Sequence, residues 1–139
     1  MAIAPIFKFK NIKTRITTAN TSTFIYGVVA YPGSGNNTLD PGISTLDVTS
    51  VVLTLQISNL TTGPVTVNSW VLNSSTISYD DNNARVLVRN YPLIPSNAFD
   101  PLSGNLVLGQ YDQLWVSSSI ANGCDVIVSI LEIANATAS

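Results

Sequence analysis

Apolar and polar residues alternate along much of this chain, most regularly between residues 51 and 58. Every second side chain of that segment is apolar and falls on one face: Val51, Leu53, Leu55 and Ile57. A period of two residues with one polar face is typical of a half-buried β-strand. No window shows a convincing period of 3.6 residues, so we expect an all-β protein.

Turn-forming residues at 59–64 follow this strand, and the extended pattern resumes from Val65 to Leu72. We predict that these two strands pair as an antiparallel hairpin. A second hairpin is predicted from Thr76–Tyr79 and Arg85–Arg89, with a polar tip at residues 80–83. The other strand candidates are Thr23–Tyr31, Asn105–Leu108, Gln113–Ser118 and Cys124–Ile133.

Proline and glycine positions predict the connections. Asn90–Leu102 contains three prolines and is expected to cross irregularly from one sheet to another, whereas Pro32–Asp47 reads as a long surface loop. Asn122-Gly123 favours a tight turn between the last two strands. Eight or nine short strands fit an antiparallel two-sheet sandwich, jelly-roll-like or immunoglobulin-like, and a single-domain jelly-roll-like sandwich with an extended N-terminal arm is the fold we predict.

The division expected is an arm at residues 1–16, a β-sandwich at 17–134 and a flexible tail at 135–139. The arm contains four of the six cations and no acid. Its apolar residues change parity between Phe9 and Ile12, which predicts a bulge or turn near Lys10-Asn11. One interpretation is an edge strand protected from aggregation by its charges. The other is an arm that docks on a second copy or another protein through Phe7, Lys8, Phe9, Lys10, Lys13 and Arg15.

The amino-acid composition excludes several kinds of site and partner. Charged residues make up 10% of the chain, there is no histidine, and the net charge is −2. Sites that depend on histidine are excluded, a nucleic-acid partner is disfavoured, and no apolar run is long enough to span a membrane. We therefore predict a protein that is not an enzyme and has no cofactor or metal.

The Asp80–Asn83 run offers oxygen ligands for calcium, but a plain turn is the preferred interpretation. The lone Cys124 is expected to be a small buried hydrophobe.

Aromatic residues offer a second candidate surface. Trp70, Tyr79 and Tyr111 are predicted to lie at a protein interface, with a sugar-stacking surface as the alternative.

The C-terminal third carries a resemblance. Residues 105–119 read NLVLGQYDQLWVSSS, and residues 124–133 read CDVIVSILEI. This succession of strand, turn, strand, small-residue loop and strand resembles the C-terminal pattern of small tailed-bacteriophage virion proteins. Gln110-Tyr111-Asp112 departs from that pattern, which usually has glycine before the aspartate.

The resemblance implies a structural virion protein. Capsid cement or decoration proteins of this type are β-sandwiches that commonly form trimers, so the expected partners are the major capsid protein and further copies of the chain. The expected location is the outer surface of a phage capsid. The alternative is a tail, neck or fibre component that acts as a receptor- or carbohydrate-binding module.

Overall fold

Nine β-strands account for most of the computed structural model, which describes residues 6–28, 47–74, 76 and 78–135. In chain order the strands are β1 (Ile6–Ile16), β2 (Thr23–Gly27), β3 (Asp47–Asn59), β4 (Val65–Asn73), β5 (Ala84–Leu93), β6 (Ala98–Phe99), β7 (Leu106–Leu108), β8 (Asp112–Ser118) and β9 (Cys124–Asn135). Within these ranges there is no helix, and so none long and apolar enough to cross a membrane.

The strands form two antiparallel sheets. The first sheet has the order β1-β9-β3-β6, with β7 also paired to β3, and the second has the order β2-β8-β4-β5. The short strands β6 and β7 pair with opposite ends of β3 and act as one interrupted edge strand. Counted in this way, eight strand positions in two sheets give a jelly roll, and the predicted fold class is confirmed.

The core lies between the two sheets. Alternate residues of the long strands point into it, among them Leu55, Val67, Leu114, Val126 and Val128, all fully buried. Cys124 is a buried free thiol within the same cluster, as the sequence predicted, and burial raises its pKa. Most strands therefore have one face against the core and one face towards the outside, whereas β8 is buried on both faces.

The first predicted hairpin is wrong, because β3 and β4 belong to different sheets. Buried Asn59 shapes the corner between them. Its side-chain amide donates to the carbonyl oxygens of Gly63 at 2.9 Å and Leu93 at 2.8 Å, and its Oδ1 accepts the Thr61 N–H at 2.8 Å. The turn at residues 59–64 was thus identified correctly, but it carries the chain across the core.

The second predicted hairpin is also wrong. The described residues of 76–79 lie outside any strand, and β5 pairs with β4 instead. Buried Gln113 donates to the carbonyl oxygens of Ser74 at 3.2 Å and Thr76 at 2.8 Å, which ties this segment to the outer face of the second sheet. The polar tip at residues 81–83 is a turn, as predicted.

Several connections follow the sequence prediction more closely. The chain between β5 and β6 crosses from the second sheet to the first, as predicted. Within the predicted irregular stretch Asn90–Leu102, however, residues 90–93 belong to β5 and Ala98–Phe99 forms β6. A turn at 119–123 joins β8 to β9, although these strands lie in different sheets; Asn122 has a φ of 55°, and a Cβ on Gly123 would lie 2.9 Å from the Ile120 carbonyl oxygen. The predicted strand at Thr23–Tyr31 ends at Gly27. Most of the predicted loop (residues 32–46) and most of the tail (residues 136–139) lie outside the described residues.

The N-terminal arm forms a regular strand over its described part. β1 pairs with β9 in one continuous register, from Ile6 opposite Ala134 to Ile16 opposite Cys124, so the predicted bulge near Lys10-Asn11 is wrong. Ile12 and Ile16 face the core, whereas Phe7 and Phe9 face outward. The change of parity arises because the two phenylalanines belong to the other face of the same strand.

Candidate functional site

The outer face of the first sheet carries a row of apolar side chains in register. Phe9 on β1 lies opposite Leu131 on β9, Leu131 lies opposite Val51 on β3, and Val51 lies opposite Val107 on β7. Phe7 begins the next row of this face, opposite Ile133. We call these six residues, together with Leu53, the apolar face. The pairing irregularity between Val52 and Thr54 separates Val51 and Leu53 from the buried Leu55 and Ile57, so the prediction that these four side chains share one face is wrong.

The apolar face is open to solvent in the single chain. Phe9 is 75% exposed, Val107 62% and Phe7 61%. A contiguous apolar surface that extends across four strands is more than the scattered exposed residues of an ordinary monomer, and such patches mark interaction sites. The two arm phenylalanines are therefore placed where they can contact a partner.

The other half of the same sheet face is polar. Arg15 donates to both carboxylate oxygens of Asp125, from Nε at 2.8 Å and from Nη2 at 3.1 Å, and this contact lowers the pKa of Asp125. Asn11 donates to Ser129 at 3.2 Å, and Lys13 is exposed. A polar region thus borders the apolar face, as the rim borders the centre of a protein interface.

Lys8 and Lys10 belong to the opposite, inward face of β1, which changes their expected role. Lys10 Nζ lies 3.2 Å from Glu132 Oε1, and the Glu132 side chain is fully buried. The phenol of Tyr26 donates to Glu132 Oε2 at 3.1 Å and lies 2.5 Å from Ser50 Oγ. We call Lys10, Glu132, Tyr26 and Ser50 the buried polar cluster.

The buried polar cluster combines two hydrogen bonds of the Tyr26 hydroxyl with one ion pair. Glu132 Oε1 has no hydrogen-bond partner among the described residues, so its contact with Lys10 is an ion pair without hydrogen-bond geometry. Burial, and then the charge of Glu132, raise the pKa of Tyr26 well above its usual range, which keeps the phenol protonated. This arrangement links β1 to β9 and, through Tyr26 and Ser50, to β2 and β3.

Aromatic rings form a second surface, on the outer face of the second sheet. Phe24 lies opposite Trp115, and Trp115 lies opposite Trp70, across three adjacent strands. Tyr79 covers this row, with ring centroids 5.4 Å from Trp70 and 5.5 Å from Trp115 in edge-on contacts. The structure thus brings the predicted Trp70 and Tyr79 together. Tyr111 lies in the turn before β8, with a φ of 68°.

Beside Trp70 there is an open cleft of about 510 Å³. Its lining residues are Asn20, Asn68, Trp70, Asp81, Arg89, Asn90 and Ser117. Of these, Trp70 and the Asp80–Asn83 run were candidate site residues from the sequence, and the other five were not. These five residues come from the segment after β1 and from the strands β4, β5 and β8. The register between β4 and β5 shifts twice, between Val67 and Trp70, and these shifts bring Arg89 and Asn90 to the cleft.

The Asp80–Asn83 run uses its oxygens within the turn. Asp80 accepts from the Asn82 backbone N–H at 3.0 Å through Oδ1 and from the Asn83 amide at 3.1 Å through Oδ2. In the described part of the chain, no three Asp, Glu or Cys side chains lie close enough together to hold a metal ion.

The hydroxyl of Tyr79 provides a measurable property of this surface. Burial, followed by the 2.6 Å hydrogen bond to Asp81, raises its pKa to about 12. We therefore expect one tyrosine to ionise near pH 12 in an ultraviolet titration, and Tyr79→Phe to remove that step. Because the folded pKa is raised, this group's contribution to stability is complete below the unfolded value near 10 and declines as the pH rises towards 12. A Tyr79→Phe protein that retains the step would contradict the assignment.

No family model matches the chain, and no curated protein does. Among solved structures, it is similar to a protein of Bacillus endospore appendages, described as disulfide-linked pili, with 13% identity, a TM-score of 0.45 and coverage of 99% of this chain and 95% of that one. It is also similar to a chain from the infectious bursal disease virus Gx strain, with 8% identity, a TM-score of 0.43 and coverage of 96% of this chain and 34% of that one. A third similarity is to the Eiger TNF of S. frugiperda, with 11% identity, a TM-score of 0.30 and 94% coverage of each chain. At these identities and scores the similarities carry no functional argument.

Proposed function

We propose that this protein is a structural component of a phage particle, a capsid cement or decoration protein that bridges major capsid subunits. The apolar face is the observation that carries the proposal. A sandwich that leaves Phe7, Phe9 and Val107 exposed on one sheet has a surface suited to burial against another protein. The resemblance of residues 105–133 to virion proteins supplies the class of particle.

The mode of action that we propose is adhesion. Burial of the apolar face removes its side chains from water, at roughly 25 cal/mol per Å² of apolar area. Lys13, on the polar border, is placed to meet an acid of the partner. Self-association as a homotrimer would present several such faces at once, and simultaneous attachment to a symmetric lattice makes individually weak contacts durable. Neither nucleic acid nor membrane is needed as a partner.

Whole particles provide the test of this proposal. The chain, carrying a small C-terminal tag, is located by cryo-electron microscopy and counted by quantitative mass spectrometry. We expect a copy number that follows the capsid lattice, with density on the outer surface of the head. A single ring of copies at the neck or tail would contradict the cement role and favour the tail-component alternative. Absence of the chain from purified particles would overturn the structural assignment altogether.

The oligomeric state is tested separately, with the purified chain. Native mass spectrometry over a range of concentrations is expected to show a trimer. A chain that stays monomeric at every concentration, and also when it is mixed with purified heads, would contradict the proposed self-association.

A further inference from the structure

We propose that the cleft beside Trp70 is a carbohydrate-binding site that takes a neutral terminal sugar. The cleft lies on the outer face of the second sheet, whereas the apolar face lies on the first, so this inference does not depend on the proposed function. The cleft is open and shallow enough to admit the end of a chain of sugars, with a volume of about 510 Å³.

The indole of Trp70 supplies an aromatic surface held in a fixed orientation. Tyr79 packs edge-on against it at 5.4 Å, and the Tyr79 hydroxyl is in turn fixed by Asp81 at 2.6 Å. Pyranose rings have a face of C–H groups that packs well against an aromatic ring, while their hydroxyls need polar partners at the ring edge. Aromatic side chains that combine a large apolar surface with polar neighbours suit such amphipathic ligands.

The polar side of the cleft is also held rigidly. The Asn68 side chain accepts the backbone N–H of Asn90 at 2.7 Å and donates to Ser117 Oγ at 3.3 Å, which fixes both neighbours. Asn20 and Asn90 have φ values of 53° and 52°, a conformation that is uncommon for residues other than glycine. The two hydrogen bonds of Asn68 preorganise part of the cleft wall, which lowers the entropic cost of binding.

The lining contains both donors and acceptors, which suits the hydroxyls of a sugar. Asn68 is already engaged with Asn90 and Ser117. The side-chain amides of Asn20 and Asn90 both donate and accept. The Arg89 guanidinium only donates and the Asp81 carboxylate only accepts, so the lining can both donate to and accept from the hydroxyls of a sugar. One cation and one acid leave the lining without net charge, which favours a neutral ligand over a phosphate or a polycation. A mostly polar lining disfavours a purely apolar ligand.

The indole resonances of the protein give a direct test. Methyl α- and β-glycosides of glucose, galactose, mannose and N-acetylglucosamine are titrated into the ¹⁵N-labelled full chain. At least one glycoside is expected to shift the Trp70 indole signal in a saturable manner. The Trp115 signal should move far less, because Trp115 is buried and its Nε1–H donates to Gln113 at 3.0 Å. No saturable Trp70 shift with any of these sugars, or an equal shift of both indoles, would overturn the proposal.

A matched pair of variants separates the cleft from general charge effects. Arg89→Gln is expected to weaken binding of the selected glycoside by about tenfold or more, since a charge-assisted hydrogen bond is lost. Lys13→Gln removes the same charge from the exposed face of β1, in the other sheet and away from the cleft, and is expected to bind normally. If the two variants bind the glycoside with equal affinity, the cleft has no role in binding. The backbone amide spectrum of each variant shows whether that variant is folded.

Discussion

Replacement of Lys10 by methionine is expected to lower the free energy of unfolding by about 3–5 kcal/mol. The reason is the fully buried Glu132 carboxylate, whose Oε1 has the Lys10 ammonium at 3.2 Å and no hydrogen bond within the described residues. Removing one partner of a buried ion pair leaves the other charge uncompensated in a medium of low polarity. Urea denaturation followed by tryptophan fluorescence measures the change.

Two control variants make the Lys10 prediction specific. Lys13→Met alters the same strand on its exposed face and is expected to change stability by about 0.5 kcal/mol or less. The double variant Lys10→Met/Glu132→Met removes both charges and is expected to recover much of the loss, because apolar pairs of similar volume replace buried ion pairs well. If Lys10→Met unfolds no more readily than Lys13→Met, the ion pair does not stabilise the fold. If the double variant is no more stable than Lys10→Met, the loss does not come from the orphaned charge.

The double substitution Phe7→Ser/Phe9→Ser is expected to weaken particle attachment by at least about 100-fold. Full burial of a phenylalanine contributes about 1.5–3 kcal/mol, and each factor of ten in affinity corresponds to about 1.4 kcal/mol. Both rings are mostly solvent-exposed in the single chain, so their loss should have little effect on its own stability. Co-sedimentation with purified heads that lack the protein measures attachment.

Ile94 and Ile120 provide the control for this second prediction. They are 59% and 41% exposed and lie in connections outside the apolar face. Ile94→Ser/Ile120→Ser lowers surface hydrophobicity to a similar degree and is expected to attach normally. Equal loss of attachment in both double variants would indicate nonspecific hydrophobic adhesion, and no loss in either would contradict the role of the apolar face.

Point substitutions are preferable to deletion of the arm. β1 pairs with β9 over its whole length, buries Ile16 and contributes Lys10 to the buried polar cluster. Removal of residues 1–16 would leave a new unpaired sheet edge and an isolated Glu132 charge. The arm is thus part of the sandwich as well as a candidate contact surface.

The candidate sites were predictable only in part. The phenylalanines of the arm and the pair Trp70 and Tyr79 were identified from sequence, because large apolar residues in a polar context are visible without a structure. Arg89 and Asn90 were not, since they reach the cleft through an irregularity in the β4–β5 pairing that leaves no local signal. The role of Lys10 was equally hidden: its partner Glu132 lies far away along the chain, and charge counting cannot indicate which face of β1 a lysine occupies.

The sequence by itself determined that the chain is an antiparallel β-sandwich, that turns lie at 59–64, within 80–83 and at Asn122-Gly123, and that chemistry based on histidine is absent. These properties depend on local residue preferences and on a period of two, which can be read within a few residues. Only the tertiary structure decided which sheet each strand joins and which face of a strand meets the core. Alternation shows that a strand has two faces but does not show which of them is buried. In β1, Ile12 and Ile16 face the core, whereas Phe7 and Phe9 face outward. That choice depends on the partner strand, and the partner of β1 is the last strand of the chain.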